Sequence, residues 1–159
     1  MRFIGCRGSI GCLTESAKIT MADLSIKKIS DVKVGDFVHN PLTERAQEVV
    51  RVLSGPETKP MVHLEVEGVD EPITMTSGHP VVTAYGPMPA KDLREFHTVL
   101  DAENNLRKIN KISYHHGYVD RVWNLGLEGE EEVDFYFVAN GVVSGDLKIQ
   151  GELEKSTEK

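Results

Sequence analysis

Gly11 and Cys12, near the N-terminus, are the residues whose types and order could break the polypeptide itself. A cysteine thiol beside its own preceding peptide bond can attack that carbonyl and convert the amide into a thioester. The thiolate is the competent nucleophile, and an unperturbed cysteine, with a pKa of about 8.5, is only slightly ionised at neutral pH. Glycine leaves the carbonyl uncrowded and tolerates unusual backbone angles. The reaction therefore needs a proton donor and a polarised amide supplied from elsewhere in the chain.

The elements that must position these groups are predicted to be short β-strands. The 159 residues, 40% of them hydrophobic, fit one packed domain. No segment keeps a helical period over twelve residues. Turn signals include Gly55-Pro56, a turn or single helical turn over 89–93, and a hairpin turn at Asn140-Gly141, where both residues tolerate positive φ. Segment 32–38 is predicted as a turn at Gly35-Asp36 followed by a strand. The other predicted strands are 18–21, 25–29, 47–53, 61–66, 71–76, 80–85, 106–114, 118–125, 134–138 and 142–143.

Charge and composition disfavour several classes of function. The net charge is -7, whereas a nucleic-acid surface needs clustered lysine and arginine. The sequence has no apolar run of eighteen residues, so no membrane-spanning helix is expected. The two cysteines, Cys6 and Cys12, do not make a disulfide scaffold. A bond between them would mask both thiols, so a reducing, cytoplasmic environment is the working assumption.

Four sequence blocks, in order from residue 11 to about residue 146, resemble those of the Hint domain. This is the self-processing module shared by inteins, bacterial intein-like proteins and Hedgehog autoprocessing domains. The second block resembles the family's TxxH motif, and the fourth resembles its closing "F-V-A-N-G-I-L" hairpin. The blocks are Gly11-Cys12-Leu13-Thr14 with 18–20 and the "LKVGD.V"-like 29–38, then 73–80, 121–129 and 136–143.

The resemblance implies an all-β, horseshoe-shaped Hint fold of many short, curved strands with little helix. It divides the chain into a flanking segment, 1–11, a Hint domain, 12–150, and a disordered tail, 151–159. It makes Cys12 the nucleophile and the bond after Gly11 the scissile bond. Thr76 and His79 fall on the TxxH positions, where His79 would protonate the departing amide nitrogen and Thr76 would contact the same peptide group.

The chain departs from the family at its C-terminal block. The hairpin alignment brings the family's penultimate histidine to Gly145, its terminal asparagine to Asp146 and the following nucleophile to Leu147. Leucine cannot receive an acyl group, so full splicing is not expected. Asp146 remains a candidate catalytic residue because a carboxylate can attempt the attack that the asparagine amide makes. Asn124 stands where many inteins carry an aspartate; an amide can hydrogen-bond there but cannot transfer the proton.

These residues predict an N-to-S acyl shift at Gly11-Cys12, followed by cleavage or transfer to an external thiol, amine or water. The substrate would be the attached polypeptide, and the process would be a single-turnover self-cleavage without a cofactor. About forty residues separate the second and third blocks, too few for a homing endonuclease.

Two alternatives remain open. One is a Hint-fold module that has lost catalysis and serves as a structural or interaction domain. The other is a metal site, which is disfavoured because the sequence has no CxxC or HxxxH spacing. Adventitious zinc on Cys12 and His79 would inhibit. The other possible ligands are Cys6, His63, His97, His115 and His116.

Overall fold

The computed structural model describes residues 12–57, 60–117 and 120–157, and most of the regular structure in them is β-strand. Three 3-10 helices cover Ile29–Asp31, Ala90–Asp92 and Glu132–Phe135, and helix α1 covers Leu147–Thr157. The strands are β1 (Leu13–Thr14), β2 (Lys18–Thr20), β3 (Ile26–Lys28), β4 (Phe37–Asn40), β5 (Arg45–Glu57), β6 (Met61–Val66), β7 (Ile73–Met75), β8 (Pro80–Thr83), β9 (Gly86–Pro89), β10 (Thr98–Leu100), β11 (Leu106–His115), β12 (Asp120–Leu127), β13 (Tyr136–Ala139) and β14 (Val142–Gly145).

The described strands form one large antiparallel sheet in which many neighbours are distant in sequence. Its order is β3-β2-β13-β14-β8-β10-β11-β6-β7-β1-β12-β5-β4, with β9 pairing on β8. The N-terminal strand β1 lies between β7 and β12. The C-terminal hairpin β13–β14 lies between β2 and β8. The first described strand and the last hairpin are therefore both interior to the sheet, and the expected all-β architecture of many short strands is confirmed.

The β13–β14 hairpin closes on the predicted Asn-Gly turn. Asn140 and Gly141 have φ values of 48° and 79°, the left-handed region that this tight turn requires. The Asn140 side chain also accepts a 2.7 Å hydrogen bond from the Lys18 amide and donates one of 2.7 Å to the Pro72 carbonyl. The turn thus ties the hairpin to β2 and to the segment before β7, and all eight residues of its two strands are buried.

The predicted turn at Gly55-Pro56 is wrong, because β5 continues through both residues to Glu57. Gly55 pairs with Val122 and Pro56 with Arg121 on β12. On its other side β5 pairs with β4 only as far as Glu48. Proline lacks a backbone donor, but an edge position does not need one. The proline is therefore accommodated in the strand.

The C-terminal residues also differ from the sequence expectation. Residues 151–157, predicted as a disordered tail, are the last turns of α1. The reason lies at the start of that helix, where Asp146 accepts hydrogen bonds from the first turn and Ile149 is 1% exposed in the main core. Within the described residues, no helix is long and apolar enough to cross a bilayer.

Two glycine substitutions test this local structure with opposite expected signs. Gly141→Ala should lower the free energy of unfolding by about 1–2 kcal/mol, because Gly141 has positive φ and an added Cβ would lie 3.2 Å from Val69 Cγ1. Gly151→Ala should raise it by about 0.5–1 kcal/mol, because an added Cβ meets nothing within 4 Å on a helix. Urea unfolding measures both, and effects of the same sign would contradict the assignment.

Candidate functional site

Strand register places Cys12 between two of the predicted site residues. Leu13 pairs with Met75 on one side and with Trp123 on the other. Continuing both registers by one residue places Cys12 opposite Thr76 on the β7 side and opposite Asn124 on the β12 side. Directly opposed residues of antiparallel strands project from the same face. The fold thus gathers three residues separated by more than a hundred positions in the sequence onto one face of the sheet.

Thr76 holds the peptide group of Cys12 through two hydrogen bonds. The Cys12 amide nitrogen donates to Thr76 Oγ1 at 2.8 Å, and the Thr76 amide donates to the Cys12 carbonyl at 2.8 Å. That cysteine nitrogen belongs to the Gly11-Cys12 bond and would be the leaving nitrogen in an acyl shift. Thr76 is 1% exposed and Cys12 is fully buried. The contact is therefore made away from water, where its geometry is strongly enforced.

His79 is carried on a short turn that begins at Thr76. Its amide donates to the Thr76 carbonyl at 3.2 Å, and its own carbonyl accepts from Ala90 at 2.9 Å. The Lys91 amide binds the Ser77 carbonyl at 2.8 Å. The 3-10 helix Ala90–Asp92 thus holds this turn from one side, and the His79 ring is fully buried. Thr76 and His79 belong to a single rigid loop, which couples their positions.

Asn124 is fully buried, and its side-chain oxygen accepts a 2.7 Å hydrogen bond from the Leu125 amide. This contact is local to β12, so the part that Asn124 plays at Cys12 stays a prediction. Trp123, treated as packing from sequence, lies against the main core.

Cys12 is disulfide-bonded in the structure. The sequence holds one other cysteine, Cys6, which lies outside the described residues, as does Gly11. A disulfide sulfur is not a nucleophile, so Cys12 requires a reductant before it can attack a carbonyl. Cys12 packs with Met61 and Val122 in a small apolar cluster. Sequence analysis missed these two neighbours because only strand pairing brings them to the cysteine.

Asp146 caps helix α1. Its carboxylate accepts hydrogen bonds from the amides of Lys148 at 2.9 Å, Ile149 at 3.2 Å and Leu127 at 2.8 Å. The side chain is 1% exposed, and this burial raises the pKa of the Asp146 carboxyl to about 6 despite the three donors. Both oxygens are committed to backbone donors, so the residue has the geometry of an N-cap.

Gly145, before the cap, has no room for a side chain. A Cβ built on it would lie 2.7 Å from Ile149 Cγ2 and 2.8 Å from Pro80 Cβ, which is closer than real contacts allow. A histidine at this position would displace either α1 or the strand that follows His79. A histidine at position 145 is therefore incompatible with the observed packing of α1 against the strand that follows His79.

Solved structures with the same architecture are inteins and an intein-like domain. The gp41-1 intein is 23% identical, with a TM-score of 0.72 over 86% of this chain and 98% of that chain. The bacterial intein-like domain from Clostridium thermocellum is 21% identical, with a TM-score of 0.72 over 85% and 98%. A DnaB intein from Synechocystis is 20% identical, with a TM-score of 0.71 over 86% and 98%. The chain has the Hint fold.

No protein-family model matches the sequence, and no curated protein does. The solved inteins align with this chain over nearly their whole length.

A histidine pair lies on the same face of the Hint fold as Cys12, one strand beyond Thr76. The ring of His63 on β6 stacks on that of His115 on β11 with centroids 4.2 Å apart, and its Nδ1 lies 2.9 Å from Thr74 Oγ1. Burial, followed by the nearby His115, lowers the pKa of His63. In the described part of the chain, no three His, Cys, Asp or Glu residues are arranged to hold a metal ion.

The Thr76 contact can be tested by stability. Thr76→Val is nearly isosteric but leaves the buried Cys12 amide without its acceptor, so it should lower the free energy of unfolding by about 1–3 kcal/mol. Thr76→Ser keeps the hydroxyl and should lose less. Urea unfolding of both variants is the measurement. Equal losses for valine and serine would show that the hydroxyl is not what stabilises the site.

The Asp146 cap predicts a pH dependence. The folded pKa of about 6 exceeds the unfolded value of about 3.9, so protonation favours the fold and this carboxyl contributes less stability as pH rises from about 4 to about 6. Asp146→Asn keeps one oxygen for the cap and removes the titration, but its amide nitrogen cannot accept from Leu127, so that hydrogen bond is lost at every pH. The stability of Asp146→Asn relative to the wild type should therefore rise by about 1–3 kcal/mol as the pH increases from about 4 to about 7.

The measurement is urea unfolding of both proteins across this range. Asp146→Ala serves as the control, because it lacks the cap and should lose about 1 kcal/mol relative to Asp146→Asn at every pH. Parallel pH profiles for the wild type and Asp146→Asn would contradict the prediction.

Proposed function

We propose that this chain is an autoprocessing Hint domain that breaks the Gly11-Cys12 bond through an N-to-S acyl shift. The observation that carries the proposal is the 2.8 Å hydrogen bond from the Cys12 amide nitrogen to Thr76 Oγ1. This bond fixes the orientation of the nitrogen that must leave and holds it beside the turn that carries His79. The fold shared with inteins supports the same reading.

The proposed reaction begins when the Cys12 thiolate attacks the Gly11 carbonyl carbon. A carbon–sulfur bond forms, and the carbon–nitrogen bond to Cys12 breaks. The departing nitrogen takes a proton from His79 and becomes a free amine. The product is a thioester between Gly11 and Cys12, which water, an amine or an external thiol then cleaves to return the cysteine thiol.

His79 is assigned as the proton donor on chemistry and position. Imidazole can give and take a proton near neutral pH. The turn that carries His79 begins at Thr76, the residue that binds the leaving nitrogen. Full burial excludes bulk water from competing with this transfer.

Excision and religation are not proposed. Gly145 has no space for the assisting histidine, and Leu147 begins α1. Asp146 Oδ1 caps the helix, and its Oδ2 accepts from the Leu127 amide on β12. In the proposed reaction the C-terminal segment therefore stays attached. The reaction is a single cleavage or acyl transfer at the Gly11-Cys12 bond. The substrate is the polypeptide joined through Gly11.

A second candidate function is a Hint-fold structural or interaction module that no longer processes itself. The disulfide at Cys12 and the amide in place of a carboxylate at position 124 favour it. The same experiment separates the two functions.

The experiment uses the full chain and reagents that separate reduction from thioester cleavage. A phosphine reductant frees Cys12 without attacking an acyl group, and hydroxylamine cleaves thioesters. Together they should split the wild type into residues 1–11 and 12–159, as read by intact mass. Dithiothreitol alone should do the same, because it both reduces and attacks.

The controls assign the chemistry to residues. Cys12→Ala should stay intact, His79→Gln should cleave at least tenfold more slowly, and Cys6→Ser should cleave with hydroxylamine alone. Circular dichroism checks that each variant is folded. An unchanged mass for folded, reduced wild type would refute autoprocessing and leave the structural module.

A further inference from the structure

The loop that carries His79 is enclosed from a second side by the C-terminal segment. Ser144 on β14 pairs with Val81 on β8, and the same register places Gly145 beside Pro80. Pro80 directly follows His79 in the chain. The segment that replaces the family's C-terminal catalytic residues is thus a direct neighbour of the proposed proton donor.

Ile149 and Pro80 flank the bare Cα of Gly145. A Cβ at Gly145 would lie 2.8 Å from both Ile149 Cβ and Pro80 Cβ, so the two side chains approach the glycine closely and leave no room for a side chain there. Ile149 is 1% exposed and belongs to the same core cluster as Val81. Helix α1 therefore packs on strand β8 at the residue that follows His79.

Helix α1 cannot yield easily at this contact, because its start is fixed from within the sheet. The Asp146 amide donates to the Phe135 carbonyl at 3.0 Å, and its carboxylate binds the amides of Lys148, Ile149 and Leu127. Lys148 also lies over the Phe135 ring, with Nζ 5.6 Å from its centroid. Ile149 is therefore held by the cap rather than by the exposed end of the helix.

We propose that Ile149 is a positioning residue for His79, acting through Pro80. The hydrogen bonds from Ala90 and Lys91 hold the loop on one side, and Ile149 limits its movement on the other. Proline fixes its own φ, so a shift of its ring moves the His79–Pro80 peptide with it. The inference rests on the proposed function for its catalytic consequence, but the positioning itself is measurable without cleavage.

The test compares Ile149→Ala with Ile109→Ala. Ile109 is also a buried isoleucine, 6% exposed, on strand β11, which is not a neighbour of β8 in the sheet. Cleavage by dithiothreitol is followed across about pH 5 to 8.5. Ile149→Ala should cleave about tenfold or more slowly, with a displaced pH profile, because small misplacements of catalytic groups cost large factors in rate. Ile109→Ala should match the wild type.

A second readout reports on His79 directly. In a Cys12→Ala background, which does not cleave, the ring carbon and proton NMR shifts of His79 are recorded across the same pH range. Ile149→Ala should change them, Ile149→Val should restore them toward wild type, and Ile109→Ala should leave them unchanged. If Ile149→Ala unfolds, the same comparison is made between Ile149→Met and Ile109→Met, which change the shape of the side chain at nearly constant side-chain volume.

The outcomes separate the two proposals. If Ile149→Ala and Ile109→Ala behave alike in both readouts, Ile149 is ordinary core and the positioning role is refuted. If the wild type fails to cleave while the His79 shifts still respond to position 149, the proposed function fails and the positioning stands.

Discussion

The pair of hydrogen bonds between Thr76 and Cys12 is the constraint on which the site depends. It holds the Cys12 amide nitrogen, which the proposed acyl shift would release, at the end of β7, and it extends the pairing of β1 with β7 by one residue. Losing the acceptor of a buried amide costs free energy of folding, so the fold favours keeping this hydrogen bond. The same exclusion of water would strengthen the effect of the bond on the proposed reaction. Because His79 is on the turn that starts at Thr76, the contact also sets where the proposed proton donor can lie.

The two ends of this Hint-fold domain differ in what their polar groups bind. At the N-terminal end, polar groups converge on one peptide bond. At the C-terminal end, Gly145 permits close packing, and the buried Asp146 carboxylate caps a helix at the cost of a raised pKa. Helix α1 then packs behind the residue that follows His79. The same few residues thus leave no room for a side chain at position 145 and bring α1 against the loop that carries His79.

Much of the fold was predictable from local signals. The Asn140-Gly141 turn, the 3-10 helix near 89–93 and most strands follow from turn residues and apolar runs. Two local predictions did not hold. The turn at Gly55-Pro56 was wrong because an edge strand tolerates proline, and the helical residues 151–157 depend on a cap and a core contact that periodicity does not reveal.

By itself, the sequence determined the residue types available for chemistry and the order of the blocks that resemble the Hint domain. It also determined that Gly145, Asp146 and Leu147 stand where the resemblance would place C-terminal catalytic residues. Only the tertiary structure decided which of these residues meet. Strand register between distant segments places Thr76 and Asn124 beside Cys12, and Pro80 against Gly145. Register is settled by burying one face of every strand at once. No local segment of the sequence specifies this register, because it is set only when all the strands assemble into the sheet.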